Sequence, residues 1–134
     1  MTKAEILALQ PGREFDALVA EKVMGLKREV RLRGEANTVT AYKSLVDGLH
    51  TRDEVLRYGS PLPYSTDIAA AWQVVEAMRP EYGFWIDGDD GYIVEFQHGM
   101  PGMTDYRHGR AFAPTAPEAI CKAALLAKLE SGEV

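Results

Sequence analysis

The chain has 134 residues, 46% of them hydrophobic and 26% charged, with a formal net charge of -5. That length and balance fit one domain with a buried core of its own. They exclude a membrane span, since no apolar run reaches 18 residues, and the acidic surface argues against general nucleic-acid binding.

Lys3 to Leu9 reads as a short helix. Pro11 restarts the chain, and Phe15, Leu18, Val19 and Val23 recur at spacings of three and four, predicting a helix over 11–24 that Gly25 stops. Arg28 to Gly34 alternates polar with apolar, and Thr38 to Tyr42 is β-prone. The two predict a hairpin over 28–44, joined through Gly34-Glu35-Ala36-Asn37. Thr51-Arg52-Asp53-Glu54 has the capping-box pattern, which predicts a short helix through Arg57. Gly59, Pro61 and Pro63 then forbid helix up to Pro63.

Ser65 and Thr66 offer caps for a long helix over 66–78, with Asp67 in its first turn. Ile68, Ala71, Trp72, Val75 and Met78 share one face of it, and Arg79-Pro80 ends it. Tyr82 to Ile86 and Tyr92 to Gln97 flank the acidic turn Asp87-Gly88-Asp89-Asp90-Gly91, a hairpin signal. A third strand runs from about Asp105 to Phe112. Thr115-Ala116-Pro117-Glu118 opens the last helix, over 115–130, as a second capping box. Glu118 and Lys122 stand one turn apart on an otherwise apolar surface, so most of that helix should be buried. The order predicts a single α+β domain over 1–134, with an antiparallel meander over 82–112 and a variable excursion at 27–60. The sheet is sheltered by helices 11–24, 66–78 and 115–130.

Three blocks carry a family likeness: Arg13 to Gly25, Tyr64 to Trp72 with the residues after it, and Thr115 to Ala127. Together they resemble the phage ABA sandwich domain family, small proteins encoded by bacteriophages and prophages of Gram-positive bacteria. The resemblance implies an α–β–α sandwich of unassigned function. It brings no catalytic residues, and Lys27 to Ser60 lie outside its pattern.

Candidate sites come from the residues themselves. The start at Ser65, Thr66 and Asp67 either caps its helix or offers N–H groups to an anion, and the Asp67 carboxylate favours capping. Trp72 and Trp85 either pack in the core or make an aromatic wall; general burial habits favour the core. Tyr106, His108 and Arg110 alternate along one strand face. Lys27, Arg28, Arg31 and Arg33 form a basic cluster, and Arg107, His108 and Arg110 another, either phosphate contacts or a charged, protected edge.

His50, His98, His108 and Cys121 match no zinc spacing, and Cys121, the only cysteine, reads as a small buried side chain that excludes an intramolecular disulfide. The acidic turn fails as a calcium loop, with Tyr92 at the sixth position and His98 at the twelfth. No phosphate loop, dinucleotide fingerprint or nucleophile elbow is present.

The expectation is a non-enzymatic phage accessory protein that sequesters a host component, either a host protein or a small anionic nucleotide signal of a defence pathway. The nucleotide would use Arg31, Arg33, Tyr64, Ser65, Thr66, Trp85, His108 and Arg110. The alternative is a small hydrolase with His98 or His108 as base. No cofactor or metal is expected. A homodimer or higher homo-oligomer is, by the habits of such proteins. The N-terminal residues lack a charged-then-apolar signal pattern, so a cytoplasmic location in the host cell is expected.

Overall fold

The computed structural model describes residues 1–33, 37–44 and 61–132, with only the backbone described from 27 to 44. The helix expected over 51–57 and the candidate ligand His50 lie outside the described residues. Helix α1 spans Lys3–Leu7, its N-terminus capped by Thr2, whose Oγ1 accepts the Glu5 N–H at 3.2 Å. Helix α2 spans Arg13–Lys22 and buries Phe15, Val19 and Ala20 together with Asp16. Pro11 falls just before it, because Gly12 is the N-cap. The chain leaves α2 through Gly25, whose φ of 68° is a left-handed conformation that suits glycine. Strands β1 (Leu26–Arg33) and β2 (Asn37–Ser44) then pair antiparallel, so the hairpin read at 28–44 is present.

The remaining elements are α3 (Ile68–Met78), β3 (Gly83–Gly88), β4 (Tyr92–His98), β5 (Arg107–Ala113) and α4 (Ala116–Glu130). The strands form an antiparallel meander in the order β3-β4-β5, separate from the β1-β2 ribbon. Register fixes its two faces. Phe84 opposes Phe96, which opposes Gly109; Ile86, Val94 and Ala111 form the next inner rung. Trp85, Glu95 and Arg110 form an outer rung, flanked by Gly83, Gln97 and His108 on one side and by Asp87, Ile93 and Phe112 on the other.

Helix α4 packs beneath β4 and β5, with α3 beside it and α1 and α2 also against it. It is buried almost all round, from Ala119 to Ala127. This close approach needs Gly109, since a methyl there would overlap the Ala123 carbonyl oxygen and the Ala127 nitrogen. Lys122 is the exception in the apolar surface of α4. Its Nζ donates to Glu118 at 2.8 Å and to the Leu7 carbonyl, at the end of α1, at 3.0 Å. One ammonium thus satisfies a neighbouring carboxylate and an orphan carbonyl of a helix terminus. The architecture is α+β, as the element order predicts.

Three details differ from expectation. The cap of α3 is Asp67, whose Oδ2 accepts the Ala70 N–H at 2.9 Å, and neither Ser65 nor Thr66 takes that role. Thr115 makes no side-chain cap, and the Glu118 carboxylate, which the expected box would turn back to the Thr115 N–H, is instead engaged by Lys122. Trp72 and Trp85 are not core residues, being 44% and 49% exposed. The buried arc of α3 is Ala70, Ala71, Val74, Val75 and Met78, so the narrow side chains face α4 and Trp72 is pushed to the flank with Ile68. Trp85 faces outward because Phe84 takes the inner position, its ring 5.3 Å from Phe96.

Candidate functional site

The outer face of the meander is built by simple alternation. Every second residue of β4 and β5 enters the core (Val94 and Phe96, Ala111 and Ala113), so Ile93, Glu95, Gln97, His108, Arg110 and Phe112 must project the other way. No helix covers them among the described residues. Trp85 is half exposed and Phe112 is 62% exposed. The Phe112 ring lies over Gly91, where a Cβ would fall 2.7 Å from it, so the glycine of the acidic turn makes room for the aromatic. Between the two aromatics runs a polar row. Glu95 Oε1 lies 3.5 Å from His108 Nε2, Arg110 stands opposite Glu95 in register, and the imidazole stacks on Tyr106 with centroids 5.9 Å apart. A shallow depression of about 270 Å³ opens between Trp85, Glu95, Gln97 and Gly99.

Three of the residues singled out from sequence therefore meet on one face: Trp85, His108 and Arg110. Ile93, Glu95 and Phe112 were missed. The alternation of β4 and β5 was the available signal, but only register tells which residues stand side by side.

Tyr64 and Ser65 lie elsewhere and are buried, while Thr66 is exposed in the turn before α3. Ser65 is a structural hub. Its N–H and its hydroxyl both donate to Asp16 Oδ1, at 2.7 and 2.6 Å, and its oxygen accepts the Gly12 N–H at 3.0 Å. Cys121 adds a link from α4, its Sγ donating to the Tyr64 carbonyl at 3.2 Å. Burial pushes the Cys121 thiol far above its ordinary range, and the Asp16 carboxylate pushes the same way. The Tyr64 phenol is also raised, by burial first and then by Cys121 and Asp16. A thiol held neutral is neither a nucleophile nor a metal ligand. Ser65 and Tyr64 thus tie α2, α3 and α4 together.

Arg31 and Arg33 lie on β1, opposite Val39 and Asn37, in a ribbon that does not join the meander. His98 is held between a backbone carbonyl and a carboxylate: Nδ1 meets the Glu81 oxygen at 2.7 Å, and Nε2 lies 3.6 Å from Asp105. Among the described residues no group of three or more His, Cys, Asp or Glu side chains could hold a metal ion, and no helix is long and apolar enough to cross a membrane.

The model of the phage ABA sandwich domain matches residues 17–125, well over half of the chain. The chain belongs to the phage ABA sandwich domain family. The match takes in the later part of α2, the β1-β2 ribbon, α3, the whole meander and most of α4, so every element that builds the outer face lies within this phage domain. No curated protein and no solved structure matches the chain.

Proposed function

We propose that this phage ABA sandwich domain is a non-enzymatic binding module that masks a host protein, docking it on the outer face of the meander. The observation that carries this reading is the exposed set of Trp85, Ile93 and Phe112 around the Glu95, His108 and Arg110 row. A tryptophan and an arginine close together on a flat surface are the residue types that dominate protein interfaces. A strand face has no reason to expose two large aromatics to water when its alternating partners fill a core.

The face fits a protein better than a small anion. Glu95 sits in its middle, and Asp87, Asp89 and Asp90 border it, so its charge is mixed. The α3 N-terminus is occupied by its own Asp67, and Ser65 by Asp16. The alternative, a hydrolase with His98 or His108 as base, gains no nucleophile from the buried hub. Neither Ser65 nor Cys121 can serve as nucleophile: one has spent its hydroxyl on Asp16, and the other is buried as a neutral thiol.

The test is affinity capture from host lysate with the wild-type chain, Trp85→Ala and Arg110→Glu. One specific host protein should be retained by the wild type and its affinity reduced at least tenfold in each variant, with thermal midpoints unchanged. Equal capture by all three would refute the assignment to this face. Retention of a nucleotide, released intact by heat and lost in Arg110→Glu, would replace the protein with the small-molecule target.

A further inference from the structure

The two edges of the meander are protected very differently. On β5 the His108 N–H already donates to Glu130 Oε2 at 2.8 Å, and Arg107 and Arg110 charge the strand. Strand β3 has no lysine, arginine or proline and no partner on its outer side among the described residues. Consecutive residues of β3 are exposed on both faces, Trp85 on the outer and Ile86 (38%) on the inner. Below the same margin α3 presents Ile68, 54% exposed, one turn from Trp72, whose ring meets Phe84 edge-on at 5.8 Å. An unprotected edge strand backed by apolar side chains is a template for another strand.

We propose that the strand added to β3 comes from a second copy of this chain, antiparallel across a twofold axis through Trp85, joining two meanders into one six-stranded sheet. The sequence of β3 is complementary to itself in that register. Antiparallel neighbours share a face, so Trp85 meets Trp85 of the second copy, Phe84 meets Ile86, and Gly83 meets Asp87. Asp87 is the only charge on β3. Its carboxylate and that of the second copy stand four residues apart along the strand, about 13 Å, beyond the ~8–10 Å over which exposed charges are felt in salt.

On the inner side the Ile68 and Trp72 flanks of the two copies come together. With Trp85 and Ile86 they expose on the order of 400 Å² of apolar surface per copy. Spread over both faces of the edge, that is about half of one partner's share in a standard interface, to which the paired backbones add. A non-self strand has no such reason to match. The inference shares Trp85 with the docking reading but leaves Ile93, Phe112, His108 and Arg110 open on the outer face of each copy, so Arg110→Glu tests docking alone and Ile86→Lys, on the inner face, tests pairing alone.

Sedimentation equilibrium of the full chain over a broad concentration series should give a mass of twice 14.8 kDa at the upper end. Ile86→Lys places a cation on the edge and should return the mass to that of the single chain, with a thermal midpoint equal to that of the wild type at dilutions where it is monomeric. Hydrogen exchange of the wild-type amides at 84–88 should slow as concentration rises. It decides the matter if Ile86→Lys fails to fold. A wild type that stays monomeric throughout overturns the proposal and leaves the edge to a strand of another protein. A dimer that persists in Ile86→Lys, or β3 amides whose exchange is indifferent to concentration, overturns it as well.

Discussion

Replacing Gly109 by alanine tests the account of how α4 meets the sheet. The added methyl would overlap the Ala123 carbonyl oxygen and the Ala127 nitrogen and lie 3.0 Å from the Ala127 Cα, where ordinary contact begins near 3.4 Å. All three obstacles are helix backbone, so no side chain can rotate away. The helix must withdraw from β5, loosening a layer that includes Phe96, Ala111, Ala123 and Ala127. Overpacking costs about 1–3 kcal/mol in general, and this case belongs at or above the top of that range. Set against a total stability of about 5–15 kcal/mol, a loss near 3 kcal/mol should lower Tm by roughly 10 °C in a chain of this size. Gly83→Ala is the control on the same sheet, because its methyl would meet only the Gln97 carbonyl, at an ordinary 3.6 Å. It should change stability by less than about 0.5 kcal/mol. Urea unfolding of the two variants beside the wild type gives both numbers. If Gly109→Ala is as mild as Gly83→Ala, the close approach of α4 to β5 is wrong.

Two further predictions concern the buried hub. Asp16→Ala strands the Ser65 N–H and hydroxyl without their acceptor and should cost about 3 kcal/mol. Asp67→Ala should cost only about 1 kcal/mol as a lost cap, and Thr66→Ala almost nothing; equal effects across the series in thermal unfolding would contradict the assignment of roles. The second prediction is alkaline instability. The native chain keeps the Cys121 proton, whereas the unfolded chain releases it above about pH 8.5. Above that pH the unfolded state binds fewer protons, so stability should fall by about 1.4 kcal/mol per pH unit, with Tyr64 adding to the slope above about pH 10. Stability measured by urea from pH 7.5 to 10 should decline in the wild type and stay nearly level in Cys121→Ala. A wild-type chain level over that range would refute the burial argument.

The elements themselves were legible because their signals are local. Apolar spacing marked α2, α3 and α4, Arg79-Pro80 closed α3, and the acidic turn with its glycines announced the β3-β4 hairpin. The phage ABA sandwich likeness was carried by the same helical blocks. Small errors arose where two local rules competed. Ser65, Thr66 and Asp67 all have capping chemistry, and Asp67 holds the cap while Asp16, forty-nine residues away from Ser65, claims that serine. At Thr115 the Glu118 half of the box is taken by Lys122.

The candidate site was only partly visible, since a strand's alternation says that two faces exist but not which one meets the helices. The sequence alone determined the periodicities, the breaks between elements and the near-complete burial of α4, because each depends on residues a few positions apart. Only the tertiary structure decided that Trp72 and Trp85 face water, that Glu95 stands between Trp85 and Arg110, and that Gly109 must be a glycine. Each of those follows from how distant segments lie against one another, and a stripe of alanines on α3 and α4 permits an approach so close that the larger side chains are left at its margin.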